Sequence, residues 1–233
     1  MNIFRGSLIS KGFVSLFLVA GLFFVSNGAS AATIYVDVAA VGANDGTSPV
    51  DAFTTIQAAI DSATTTDGDT VSIADGTYTI AATIEVTKEL SFVGASQVGT
   101  IINGAAASGA FGPFAIHSSK SNLSFSNFTL IGPSGTGRGF KLEGTTANTP
   151  STQDGARASN INFSDITVKQ SGRTGIDLNG VNNATLNNVT LNNNGGNGFS
   201  LTDGDNLTLT NVTTFANAWG GIAIYTKGQY FPG

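Results

Sequence analysis

From Thr83 onward the chain alternates apolar-polar-apolar triplets with clusters of Gly, Asn, Ser and Thr, and in its last third the alternation settles into a period of 23 residues. Gly175-Ile176-Asp177-Leu178 recurs as Gly198-Phe199-Ser200-Leu201 and as Gly221-Ile222-Ala223-Ile224, while Asn160, Asn183 and Asn206 keep the same spacing. Such a triplet predicts a short strand with one face to bury. A unit of this length cannot close a core alone, so the period predicts coils stacked along an axis, each covering its neighbour's apolar face.

The coils are preceded by a different pattern. Residues 33–37 alternate as a strand, 42–49 form a loop of turn residues, and Phe53, Ile56, Ile60 and Ala63 fall on one face of a predicted helix. Thr54 and Gln57 have the spacing of a capping box for that helix. Strands are predicted at 70–73 and 77–80, on either side of Asp75-Gly76. The coils then read as 84–86 with 90–92, 114–116 with 123–125, and 140–142 with 161–163 after an insertion at roughly 145–159. Two regular coils follow, 176–178 with 184–186 and 199–201 with 207–209, and a last one begins at Ile222.

Asparagine marks the corners. Asn122 and Asn127, Asn160 and Asp165, Asn183 and Asn188, and Asn206 and Asn211 are pairs five residues apart, with Ser171, Asn194 and Asn217 as a third row. An Asx side chain bonds nearby backbone and tolerates left-handed conformations, so these rows predict tight corners and side-chain ladders from coil to coil. Seven Asn-x-Ser/Thr sequons fall at Asn122, Asn127, Asn162, Asn183, Asn188, Asn206 and Asn211. A glycan would collide with the stacking at six of them, so they are read as by-products of the repeat.

The first 31 residues have the form of a secretory signal: Arg5 and Lys11, an apolar run from Phe13 to Val25, then Ala29-Ser30-Ala31. The run is shorter than the roughly 20 residues that span a bilayer, so cleavage near Ala31 and an extracellular or periplasmic location are expected, with no membrane insertion. With Cys 0, packing and hydrogen bonds must hold the exported domain together. The signal carries two of the basic residues and no acid, so its removal takes the formal charge from -5 to -7, which argues against nucleic acid as a partner. The expected organisation is a signal at 1–31, an N-terminal cap at 32–82, and coils at 83–233. Gln229 stands 23 after Asn206 and the sequence stops at Gly233 in mid-coil, so either a longer protein or association through that open end is expected.

Ile34-Tyr35-Val36-Asp37, Asn44-Asp45-Gly46, the stretch from Phe53-Thr54-Thr55-Ile56-Gln57 to Asp61, Gly68-Asp69-Thr70-Val71 and Gly76-Thr77-Tyr78 resemble the right-handed parallel β-helix proteins of the pectin lyase-like superfamily. The resemblance covers nearly the whole mature chain. It implies an all-β, right-handed parallel β-helix with an N-terminal capping α-helix. The superfamily holds lyases, hydrolases, epimerases, esterases, phage depolymerases and noncatalytic surface proteins, so the fold alone does not choose a reaction.

Alternation puts Ile176 and Leu178 inward and Asp177 and Asn179 outward, with Lys141 and Glu143 one coil earlier on the same wall. Arg138 and Arg173 enter those strands, and the insertion adds Asp154 and Arg157. Cleavage of a uronate polymer by β-elimination needs a base for the proton beside the carboxylate and a positive charge to neutralise that carboxylate. Lys141 is the candidate base, with Arg173 as a clamp; Arg138 and Arg157 are candidate substrate contacts, and Asp177 and Glu143 could bind substrate or hold Ca²⁺. The bland reading is a solvated ladder of opposite charges. Hydrolysis by a carboxylate pair fits less well, because the paired-aspartate and Gly-His-Gly motifs of polygalacturonases are missing. His117 is read as a surface residue, and Trp219 as either a sugar-stacking ring or a packed corner. Outward rows of small polar residues (Ser91, Ser124, Asn162, Thr185 and Thr208, then Ser126, Ser164, Asn187 and Thr210) resemble ice-binding solenoid faces, and equally any soluble β-helix wall. Two functional classes stay open: a secreted protein that binds or processes a polysaccharide, by lyase-type elimination if catalytic, and a noncatalytic surface or adhesive module.

Overall fold

The computed structural model describes residues 30–107, 111–117, 119–143 and 158–225. Most of the expected signal, the insertion with Asp154 and Arg157, and the terminal stretch with Gln229 lie outside the described residues. The chain from Ala31 onward forms one compact unit.

Sixteen strands and one short helix are described, and every strand pairing among the described residues is parallel. A six-stranded sheet stacks β4 (Ile84–Val86), β7 (Phe114–His117), β9 (Phe140–Glu143), β11 (Ile176–Asn179), β13 (Asn197–Thr202) and β16 (Gly220–Tyr225). The ten-stranded sheet runs through β1 (Thr33–Val36), β2 (Thr70–Ile73), β5 (Ser91–Gly94), β8 (Leu123–Ile131), β10 (Ala158–Lys169), β12 (Val181–Asn192) and β14 (Asp205–Thr210), with β3 (Gly76–Thr79), β6 (Thr100–Asn103) and β15 (Thr213–Phe215) attached. The 23-residue period is the register itself: Ile176 pairs with Phe199 and Phe199 with Ile222, while Ile161 pairs with Ala184 and Ala184 with Leu207. The chain is a right-handed parallel β-helix.

Each regular coil has a wall that the sequence reading lacks. Strands β8, β10 and β12 are long because they turn a corner without ending, at Asn127 (φ 59), Asp165 (φ 53) and Asn188 (φ 55). The half before the corner of β8 pairs with β5, and the half after it with β6. The second halves bury Phe128 and Leu130, Ile166 and Val168, and Val189 and Leu191. The first corner row is also left-handed, at Asn122, Asn160, Asn183 and Asn206. Its side chains form a ladder: Asn160 Nδ2 donates to Asn122 Oδ1 (2.9 Å), Asn183 Nδ2 to Asn160 Oδ1 (3.3 Å), and Asn206 Nδ2 to Asn183 Oδ1 (3.1 Å). In the third row the left-handed residues are Gln170, Asn193 and Ala216, one position earlier. Asn194 Oδ1 accepts from the Ser171 N–H (3.0 Å) and Asn217 Oδ1 from the Asn194 N–H (3.1 Å). The repeated glycine before each inner strand makes room for this corner. A Cβ at Gly175 would lie 2.8 Å from the Gly198 carbonyl oxygen and 3.0 Å from Asn194 Nδ2.

The core is a continuous aliphatic and phenylalanine column. Phe92, Phe125 and Phe163 stack with centroids 5.1 and 5.2 Å apart, and Phe114 stacks on Phe140 at 5.0 Å. Edge contacts join the two columns, as between Phe125 and Phe140 at 4.9 Å. Each such ring pair adds about 0.5–1.5 kcal/mol beyond its burial. Tyr78 is the exception with a polar tip: its hydroxyl donates to the carbonyls of Val36 and Ala74, and burial pushes its pKa up to about 12.

The helix α1 (Ile56–Asp61) buries Ile56, Ala59 and Ile60 against the same core. Its cap differs from the expected box by one residue. Thr55, in extended conformation, accepts from the Ala58 N–H (3.2 Å), whereas the Thr54 N–H is held by Asn44 Oδ1 (3.0 Å). Gln57 faces away from the cap and accepts from the Glu85 N–H in β4 (2.9 Å), so it ties the helix to the first inner strand. Near the start of the chain, Asp69 accepts from the N–H groups of Ala32 and Thr66, each at 2.7 Å. Burial opposes its ionisation, but these donors, the Thr66 hydroxyl and the charge of Lys88 outweigh burial and hold its carboxyl below the usual range. Among the described residues no helix is long and apolar enough to cross a membrane.

Candidate functional site

Sheet register sets the outward row of the six-stranded sheet as Glu85, Ala115, Lys141, Asp177, Ser200 and Ala223. Neighbouring strands are about 4.8 Å apart, so the flexible Lys141 stem easily delivers its ammonium to the carboxylate of the next coil. Lys141 Nζ lies 3.0 Å from Asp177 Oδ2, and Arg138 Nε lies 2.5 Å from the same oxygen. In the amide orientation that satisfies both its polar atoms, Asn179 accepts from Lys141 Nζ at 2.7 Å and donates to the Leu178 carbonyl. The sequence places these groups on a solvated wall, and here the structure differs. Lys141 is 3% and Asp177 8% exposed, with Asn179 and Ser200 also buried. These outward polar groups are shielded from water, and those described bond to one another. Further along the row, Asn197 Nδ2 donates to Ser200 Oγ (3.2 Å) and meets the Tyr225 hydroxyl (3.4 Å).

Of the expected site residues, the fold brings together Arg138, Lys141 and Asp177. Arg173 has a different neighbour: its guanidinium carbon lies 5.1 Å over the ring of Trp219. Glu143 ends β9 opposite His117, and its side chain is outside the described residues, as is Arg157. His117 is exposed as expected and meets Glu85 at 3.1 Å. Trp219 is no packed corner, being 61% exposed. Asn197 is the site member that sequence reasoning passed over; its one signal was its place three residues before Ser200 of the outward row.

Among the described residues the arrangement brings two basic side chains to the Asp177 carboxylate on a β wall. Ca²⁺ was expected at Asp177 and Glu143. Asp177 as placed does not fit a cation, because two basic side chains already share its Oδ2, and no three acidic, His or Cys side chains converge among the described residues.

A model of the right handed beta helix region matches residues 152–231. No curated protein matches the sequence. Among solved structures, the chain is similar to the A-module of the mannuronan C-5 epimerase AlgE4 from Azotobacter vinelandii, with a TM-score of 0.56 and 18% identity over 80% of this chain and 59% of that one. It is similar to a rhamnogalacturonan lyase, TM-score 0.56 and 16% identity over 86% of this chain and 64% of that one. It also resembles ORF18 of Geobacillus virus E2, TM-score 0.50 and 16% identity over 79% of this chain and 41% of that one. The chain therefore spans about three fifths of the first two proteins it matches. Register, corners and these likenesses together define a right-handed parallel β-helix of the pectin lyase-like fold.

Proposed function

We propose that this is an exported β-helix protein that binds and processes an acidic polysaccharide along its six-stranded sheet, by lyase-type β-elimination on a uronate polymer. The observation that carries the reading is the Arg138–Lys141–Asp177 cluster, which concentrates a guanidinium and an amine around a carboxylate on one wall. Two proteins with this fold are named for work on mannuronan and rhamnogalacturonan, which supports the substrate class. A uronate carboxylate competes with Asp177 for Arg138, and Lys141, as the free amine, takes the proton from the carbon beside that carboxylate. The electron pair forms the new carbon–carbon double bond, the glycosidic carbon–oxygen bond breaks, and the leaving oxygen takes a proton from water.

Ultraviolet absorbance of unsaturated product, with polygalacturonate and polymannuronate as substrates, tests this directly. Product that disappears in Lys141→Ala supports the assignment; undiminished product in that variant sinks it. The second reading is a noncatalytic binding module, favoured by one observation: Asp177 already satisfies both cations. Binding of the same polymers without any product decides for that reading.

A further inference from the structure

The strongest unexplained feature is where Arg173 went. Arg138 and Lys141 are engaged by Asp177, whereas the side chain of Arg173 has its described contact with an aromatic ring. The ring belongs to Trp219, two coils further on, in the row that the backbone defines as Gly137, Arg173, Gly196 and Trp219: Arg173 N–H donates to the Gly137 carbonyl, Gly196 N–H to that of Arg173, and Trp219 N–H to that of Gly196. Two strand spacings, about 10 Å, separate Arg173 from Trp219. The coil between them carries Gly196, and backbone packing enforces that choice, since a Cβ there would lie 2.8 Å from the Thr174 nitrogen. No side chain therefore stands between the guanidinium and the indole.

A guanidinium stacked on an aromatic ring uses its face and keeps its N–H edge for a planar anion. An exposed indole offers an apolar face to the C–H groups of a pyranose ring. Both needs of one ligand are met: a carboxylate for Arg173 and a sugar ring for Trp219. Asn197, bonded to the Tyr225 hydroxyl, lies in the next row and leads from this pair toward Ser200 and Asp177.

We propose that Arg173 and Trp219 form a subsite for one acidic sugar of a bound polysaccharide, apart from the Arg138–Lys141–Asp177 cluster. It rests on the polysaccharide reading above and adds the place where a uronate unit is held without chemistry. The chain has Trp 1, so tryptophan fluorescence reports this subsite and no other.

The experiment titrates the mature chain with galacturonate and mannuronate pentamers, following fluorescence and calorimetry in parallel, with methyl-esterified galacturonate pentamer as the uncharged control. Saturable fluorescence change with an acidic pentamer is expected, at least about tenfold weaker with the methyl ester and in Arg173→Gln, and weaker at high salt. Arg173→Lys, which keeps the charge and loses the planar guanidinium, is expected between Gln and the native residue. Circular dichroism of each variant checks that the fold is kept. Calorimetric binding with no fluorescence change, or with affinity unmoved by Arg173→Gln, overturns the subsite and leaves the polysaccharide reading standing. Absence of calorimetric binding for both acidic pentamers overturns that reading, and the subsite with it.

Discussion

Replacing Asp177 with Ala asks whether the charged cluster is an ornament of the wall or part of its interior. In a solvated ladder the substitution would cost about 0–1 kcal/mol, the usual worth of an exposed ion pair. The structure sets a higher figure. The side chains of Lys141 and Asp177 are 4% and 11% exposed, and that of Arg138 15%, so both cations keep their desolvation cost when the carboxylate between them goes. Removing one partner from a buried pair costs about 3–5 kcal/mol, and the mutual repulsion of Arg138 and Lys141 acts in the same direction. Asp177→Asn preserves shape and one acceptor oxygen, and is expected to cost about half as much. With a denaturant slope of about 3 kcal/mol/M, the Ala variant should unfold in urea at a midpoint about 1–2 M lower, followed by far-ultraviolet circular dichroism. A midpoint shift below about 0.3 M would refute the interior reading and restore the solvated ladder.

At the corners, Asn188 has φ 55 and donates to Asp165 Oδ1 at 2.7 Å, so Asn188→Ala loses both a ladder bond and a residue suited to the left-handed region. A loss of about 1–2 kcal/mol in thermal or urea unfolding is expected, with Asn188→Gly losing less; equal losses would assign the effect to the hydrogen bond alone. Asp69 gives an acid limb to stability. Its folded carboxyl is held below its unfolded value, so it binds fewer protons than the unfolded chain, and its contribution is full above about pH 4 and lost as pH falls through the depressed folded value. Asp69→Asn should flatten the stability–pH curve below about pH 4, and an unchanged acid limb would show that other carboxylates set it.

The period of 23 made the inner strands and both ladder rows legible, because the same residues must answer to the coil on either side. Phe140, Ile176, Phe199 and Ile222 could be aligned before any coordinates, and the register is theirs. The third wall was not legible. Its strands follow Asn127, Asp165 and Asn188 directly, and a polar residue with turn character reads as the end of a strand when it is a corner within one. The site was legible in membership and not in state. Alternation places Lys141 and Asp177 on the outer face, but it says nothing of their burial or of their contacts with Arg138 and Asn179, residues of neighbouring strands and rows. The contact of Arg173 with Trp219 was hidden for a related reason: it reaches across two coils, past Gly196, which has no side chain.

That reach suggests where a solenoid can carry chemistry at all. Positions facing the core are constrained twice, by the coil above and the coil below, and the chain repeats Ile, Leu and Phe there with little freedom. Outward positions in mid-strand are free of that constraint, and they hold Lys141, Asp177, Ser200 and Ala223 in successive coils, four different chemistries in one row. The row just before the strands is equally free, and holds Gly137, Arg173, Gly196 and Trp219. Two rows of unrelated residues, running side by side along the axis at a pitch of about 4.8 Å, form a surface that a long ligand can follow from coil to coil. On the proposed reading, a polymer of acidic sugars would meet Trp219, Arg173 and the basic groups of the earlier coils in turn. The length of this surface along the axis, more than any single residue's role, is the physical reason for proposing a polymer as the ligand.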